Sequence, residues 1–95
     1  MRKYEIMYIL KANLEDAARQ EVVNALHSII TSHEGTIDNV DEWGMKEFAY
    51  EIDGDTKGFY TVLKVTATTE GIKEFDRLAR INNNVVRFMI IKQEA

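Results

Sequence analysis

The feature that most constrains this chain is the order in which its apolar residues change period. From Lys3 to Leu10 they alternate, with Tyr4, Ile6, Tyr8 and Leu10 facing one way and Glu5, Met7 and Ile9 the other, the pattern of a strand. Leu14, Ala17, Ala18, Val22, Ala25, Leu26, Ile29 and Ile30 then recur at helical spacing; Asn13 is a residue type suited to cap that helix, and Gly35 ends it. Alternation returns from Thr36 to Ile52, with a phase slip between Ile37 and Val40 that predicts a bulge and a second bend at Gly44. "DGDTKG", Asp53 to Gly58, reads as a turn, and Phe59 to Ala67 as the next strand. Thr68 or Thr69 opens a second helix carrying Ile72, Phe75, Leu78 and Ala79, which "NNN", Asn82 to Asn84, breaks before a last strand from Val85 to Lys92.

Strand, helix, strand, strand, helix, strand is two split βαβ units. The predicted fold is therefore α+β, a ferredoxin-like sandwich with a four-stranded antiparallel sheet and two helices on one face, in one domain spanning 1–95. Right-handed crossovers that each skip a strand put the strands in the spatial order fourth, first, third, second. Two helices cover one face only, and the alternation assigns Ile6, Tyr8, Leu10, Leu63, Val65, Phe88 and Ile90 to it. Met7, Ile9, Val62, Met89 and Ile91 then point the other way, an apolar set that reads as a docking face.

The net charge of −4 is unevenly placed: the stretch from Glu15 to Asp55 carries −9 and the rest +5. In the expected strand order the basic ends of the chain become neighbours and the acidic second strand forms the opposite edge, which suggests two different partners. The absence of cysteine excludes disulfides, thiolate metal sites and a cysteine nucleophile, and fits a reducing compartment. "MRKYEIMYIL" is interrupted by Glu5 and reads as no signal peptide, and nothing approaches the roughly 20 apolar residues of a membrane span, so no membrane partner is expected and the cytoplasm is the expected location.

Catalytic and cofactor chemistry finds little support. His27 and His33 are spaced so that one helical face does not present both, and neither serine of that helix has an oriented base, so no metal, cofactor or nucleophile is expected. Strand alternation puts Asp41, Glu47 and Glu51 on one side, where a solvated edge explains them better than an acid/base pair. Acyl-phosphate hydrolases of this topology need a glycine-rich loop with an arginine after the first strand; "KANL" has neither. Amino-acid-binding regulatory modules of the same topology stay open as an alternative, since their sites are largely backbone. "KGFYTVLK" partly matches an RNA-recognition strand, but Thr61 stands where a stacking aromatic is needed, and base stacking on this sheet is not expected.

"MRKYEIMYIL", "VDEWGMKEFAYEI", "KGFY" and "RINNNVVRFMI" together, in order and at matching spacing, resemble the family of the sixth protein of the bacterial small ribosomal subunit over essentially the whole chain. The resemblance implies a non-enzymatic structural protein. It implies binding to the central domain of small-subunit rRNA together with the basic eighteenth small-subunit protein, and no small-molecule substrate. Carried over by position, Arg2, Lys3, Tyr4, Lys46, Arg80 and Arg87 are the expected RNA-binding residues, while Glu47 departs from the family pattern. The charge map adds Asp41, Glu42, Trp43, Glu51 and Met89 as the expected protein-partner surface, with Trp43 either an interface anchor or part of the core.

Overall fold

The computed structural model describes residues 1–52 and 55–93, with side chains described for all of these except 49–52 and 55. The elements are β1 (Arg2–Lys11), α1 (Asp16–Ser32), β2 (Thr36–Ile52), β3 (Asp55–Ala67), α2 (Thr69–Ile81) and β4 (Val85–Lys92). All strand pairs are antiparallel and the sheet order is β2-β3-β1-β4, the α+β ferredoxin-like arrangement with the acidic strand at one edge.

β1 is central and pairs along both of its edges. It pairs with β3 in unbroken register from Arg2↔Ala67 to Lys11↔Gly58, and with β4 from Tyr4↔Lys92 to Ile9↔Arg87. On the helix side Ile6, Tyr8, Leu10, Leu63 and Val65 meet Val22, Leu26 and Ile30 of α1 and Phe75 and Ala79 of α2. Each such large side chain contributes about 1.5–3 kcal/mol when fully buried. Phe88 closes this core from β4 by packing edge-on to Phe75, ring centroids 6.3 Å apart.

The helix ends show what decides them. α2 opens as its sequence predicts: Thr68 Oγ1 accepts a hydrogen bond from the Gly71 backbone N–H at 3.0 Å. α1 does not start at an Asn13 cap. Its N-cap is Glu15, with no side-chain bond to the helix, because Leu14 packs against the core and sets the entry point by burial rather than by capping. At its C-terminus Gly35 N–H bonds to Ile30 O at 3.0 Å and Glu34 N–H to Thr31 O at 3.3 Å, a Schellman motif in which Glu34, not Gly35, holds the left-handed conformation at φ 66°.

β2 carries both irregularities that its sequence predicts. Its register against β3 shifts between Ile37 and Asn39 and again between Glu42 and Gly44, where Gly44 adopts φ 80°. β3 begins at Asp55 rather than at Phe59, since ladder bonds use only the backbone and the polar run up to Gly58 still pairs, as at Glu47↔Lys57. Of the expected turn, Asp53 and Gly54 lie outside the described residues.

Candidate functional site

The sheet face opposite the helices is the largest surface that the fold leaves uncovered. By register it presents Met7 and Ile9 of β1, Tyr60 and Val62 of β3, and Met89 and Ile91 of β4. Met7 faces both Val62 and Met89, so these form one cross-strand row, with Met89 49 % and Ile91 51 % exposed. Ile9 and Val62 are buried, contrary to expectation, because neighbouring side chains cover them. Over Ile9 the cover is aromatic: Phe48 and Ile9 both close over Gly58, and Phe48 tilts against Tyr60 at 5.9 Å. Trp43 continues the layer, parallel to Tyr60 within 6° at 6.3 Å.

Trp43 is therefore not a core residue. It is 49 % exposed and its indole N–H donates to Asp41 Oδ2 at 3.0 Å. Thr61 is buried on the helix side, and Tyr60, the residue before it, stands on the uncovered face.

The second bulge redistributes the acids. Asp41, opposite Val62, is on the uncovered face, whereas Glu42, opposite Thr61, and Glu47, opposite Lys57, are on the helix side. The expectation that Asp41 and Glu47 share a side fails because the extra residue at Trp43 shifts the alternation by one. The partner set thus divides: Asp41 and Trp43 stand on the uncovered face at the β2 edge, Met89 is on the same face at the β4 edge, Glu42 faces away, and the side chain of Glu51 lies outside those described. Around the apolar row the register puts Lys3, Lys11, Lys46, Lys64 and Arg87 on the uncovered face, against Glu5, Asp38 and Asp41. That rim is not acidic.

The expected RNA-binding residues separate into two ends. Arg2 and Lys3 are exposed at the start of β1, beside the end of β3. Lys46, Arg80 and Arg87 lie toward the other end, Lys46 and Arg87 on the uncovered face and Arg80 on the helix side, where it bonds Asp76 at 2.8 Å. Tyr4 is 7 % exposed and belongs to the core cluster, so its ring offers no surface for stacking.

On the helix side the buried Tyr8 meets the half-buried His27. The Tyr8 hydroxyl lies 3.0 Å from His27 Nε2. Burial pushes the Tyr8 pKa up to about 12 and that of His27 below its ordinary value; the Glu42 carboxylate adds to the first shift and partly offsets the second. Both groups are thus neutral near pH 7. Ser28 Oγ donates to Ala25 O at 2.9 Å and is committed to its own helix. Among the described residues no group of three His, Cys, Asp or Glu side chains is placed to hold a metal ion, and no helix is long and apolar enough to cross a membrane.

This arrangement offers binding surfaces, and comparison with known proteins says of what kind. The family described as "Ribosomal protein S6" matches residues 3–92. The chain belongs to the ribosomal protein S6 family. It is 48 % identical to small ribosomal subunit protein bS6 of Shouchella clausii and 45 % identical to that of Halalkalibacterium halodurans, in each case over 99 % of both chains. The crystal structure of 30S ribosomal protein S6 from Thermotoga maritima superposes with a TM-score of 0.91 at 30 % identity, covering 97 % of this chain and 87 % of that one. Membership makes the chain a structural, non-enzymatic constituent of the small ribosomal subunit, at work on the ribosome in the cytoplasm.

Proposed function

We propose that the chain binds the central domain of small-subunit rRNA together with the basic eighteenth small-subunit protein, and that it divides the two tasks between parts of one sheet face. The protein partner takes the apolar side chains of Met7, Met89 and Ile91, which flank the covered Val62. The RNA backbone takes the cations around it. The observation that carries this reading is the uncovered row itself: half-exposed Met89 and Ile91 lie side by side on an otherwise ordered sheet, a patch that a chain working alone gains nothing by keeping.

Charge argues for the division. Phosphates need Lys and Arg, and Lys46, Lys11 and Arg87 gather at one end of the face with Lys3 and Lys64 toward the other. Because Glu42 and Glu47 turn to the helix side, attraction of a basic partner rests on Asp41 and Asp38 at the β2 edge, and apolar burial is the larger part of its affinity.

The test is assembly of the purified chain with the partner and a central-domain transcript. Met89→Asp and Ile91→Asp should each weaken partner binding by about 2 kcal/mol or more while leaving the melting temperature near that of the wild type. Unchanged partner affinity in both variants would remove the apolar row from the interface.

A further inference from the structure

The aromatic end of the uncovered face is chemically unlike the apolar row beside it. Trp43 and Tyr60 are parallel within 6°, and Phe48 tilts against Tyr60 to complete a shelf of three rings. Trp43 leaves half its surface in solvent. Its indole N–H is held by Asp41 Oδ2 at 3.0 Å, which fixes the ring plane. Lys46 Nζ lies 6.0 Å from the Trp43 ring centroid, and the register brings Lys11 and Arg87 to the same end of the same face. Asp41 is the one carboxylate beside the shelf among the described residues, and one of its oxygens is already bonded.

A flat, oriented ring with one cation beside it and two more across the same end of the face matches an unpaired nucleobase and the phosphates of its strand. Every base has a π face, so stacking asks for little else, and lysine and arginine at the margins hold the backbone. A basic protein segment meets the opposite conditions there, since Lys46, Lys11 and Arg87 would repel it. We infer that Trp43 stacks an unpaired base of the rRNA, with Lys46 on a flanking phosphate and Arg87, across the sheet on β4, on a phosphate further along the same strand. The inference rests on the RNA-binding reading above and deepens it, assigning Trp43 to RNA rather than to the protein partner.

The chain has one tryptophan, which makes the test direct. Acrylamide quenching of Trp43 emission is measured for the free protein, for its complex with a partner whose own tryptophans are replaced by phenylalanine, and after addition of the central-domain transcript. Ultraviolet cross-linking with mass spectrometry is run on the last. Trp43 should stay accessible in the protein complex, become shielded only with RNA, and yield a nucleotide adduct. Trp43→Ala should weaken assembly onto RNA roughly 5- to 150-fold, the span of a lost base stack, and Trp43→Phe should recover part of that. Both variants should melt as the wild type does. Shielding by the partner alone overturns the assignment in favour of a protein contact, as does a Trp43→Ala variant that assembles normally. If the wild type does not assemble onto the transcript at all, the RNA-binding reading fails and this one with it. If it assembles and Trp43 stays fully accessible, only this inference falls.

Discussion

Exchanging the demands on Glu34 and Gly35 gives the sharpest test of how α1 ends. Glu34 holds φ 66°, a conformation that costs an L-residue about 1–2 kcal/mol, whereas glycine there loses only its larger unfolded-state freedom, about 0.5–1 kcal/mol. Glu34→Gly should therefore stabilise the protein by about 0.5–1 kcal/mol. Gly35 is needed for a different reason. A Cβ at that position would lie 2.8 Å from Ile30 Cγ2, 2.9 Å from Ile30 O and 3.0 Å from Thr66 O, and the two carbonyls belong to the backbone of α1 and β3. They cannot yield without parting the helix end from the sheet, so Gly35→Ala should cost about 1–3 kcal/mol, as overpacking does. Thermal unfolding followed by far-ultraviolet circular dichroism reads both, at about 4–8 °C per kcal/mol for a chain of this size. Glu34→Ala is the control, since it removes the carboxylate but keeps the strained backbone, and it should stay within about 0.5 kcal/mol of the wild type. A Glu34→Gly variant no more stable than Glu34→Ala, or a neutral Gly35→Ala, would refute the reasoning.

Four further outcomes are expected. Because burial holds the folded pKa of His27 below its unfolded value, the unfolded chain binds more protons at mildly acidic pH. Stability is then full above about pH 6.5 and declines below it, and a urea-midpoint series from pH 7.5 to 5.5 should show a slope that His27→Gln flattens. Thr68→Ala should lower stability by about 1 kcal/mol through loss of the α2 cap, measured by the same denaturation. Asp41→Lys should slow association with the basic partner more at low salt than at high, while Glu42→Lys, facing the helix side, should leave the on-rate alone in surface-binding kinetics. Arg87→Ala should lower the salt slope of RNA binding by about 1, and Arg80→Ala by less, since Arg80 is already paired with Asp76.

Element order, strand order and both β2 irregularities were legible because each rests on a local signal: the change of period, the phase slip at Ile37 to Val40, the lone glycine at position 44. What escaped notice depends on distant parts of the chain. Leu14 overrides the capping preference of Asn13 only because α1 has a core to enter. The bend at Gly44 is readable in the sequence, but a bulge there also inverts the parity of the residues that follow it, and Glu47 therefore lies on the side opposite to the one that plain alternation gives it. Tyr60 follows from alternation alone, since Val62 on the uncovered face places residue 60 there too and leaves Thr61 to the helix side. Tyr4 could also have been read correctly. It shares its face with Ile6 and Tyr8, and that alternation marked it as core even while the family resemblance suggested RNA.

The central place of β1 bears on how the chain is made. Of the four strands β1 is made before the others, and its two neighbours are the third and the fourth, so its hydrogen-bonding edges on both sides wait for β3 and then β4. No hairpin can shelter it in the meantime, since both of its pairings are long-range and each requires a helix to fold or be bridged first. A nascent chain halted before Val85 therefore exposes one flank of β1, with Tyr8 and Ile9 beside it, to whatever strand or chaperone is near. The sheet is complete only once β4 has been made, and the aggregation hazard is concentrated in the interval between β1 and β4.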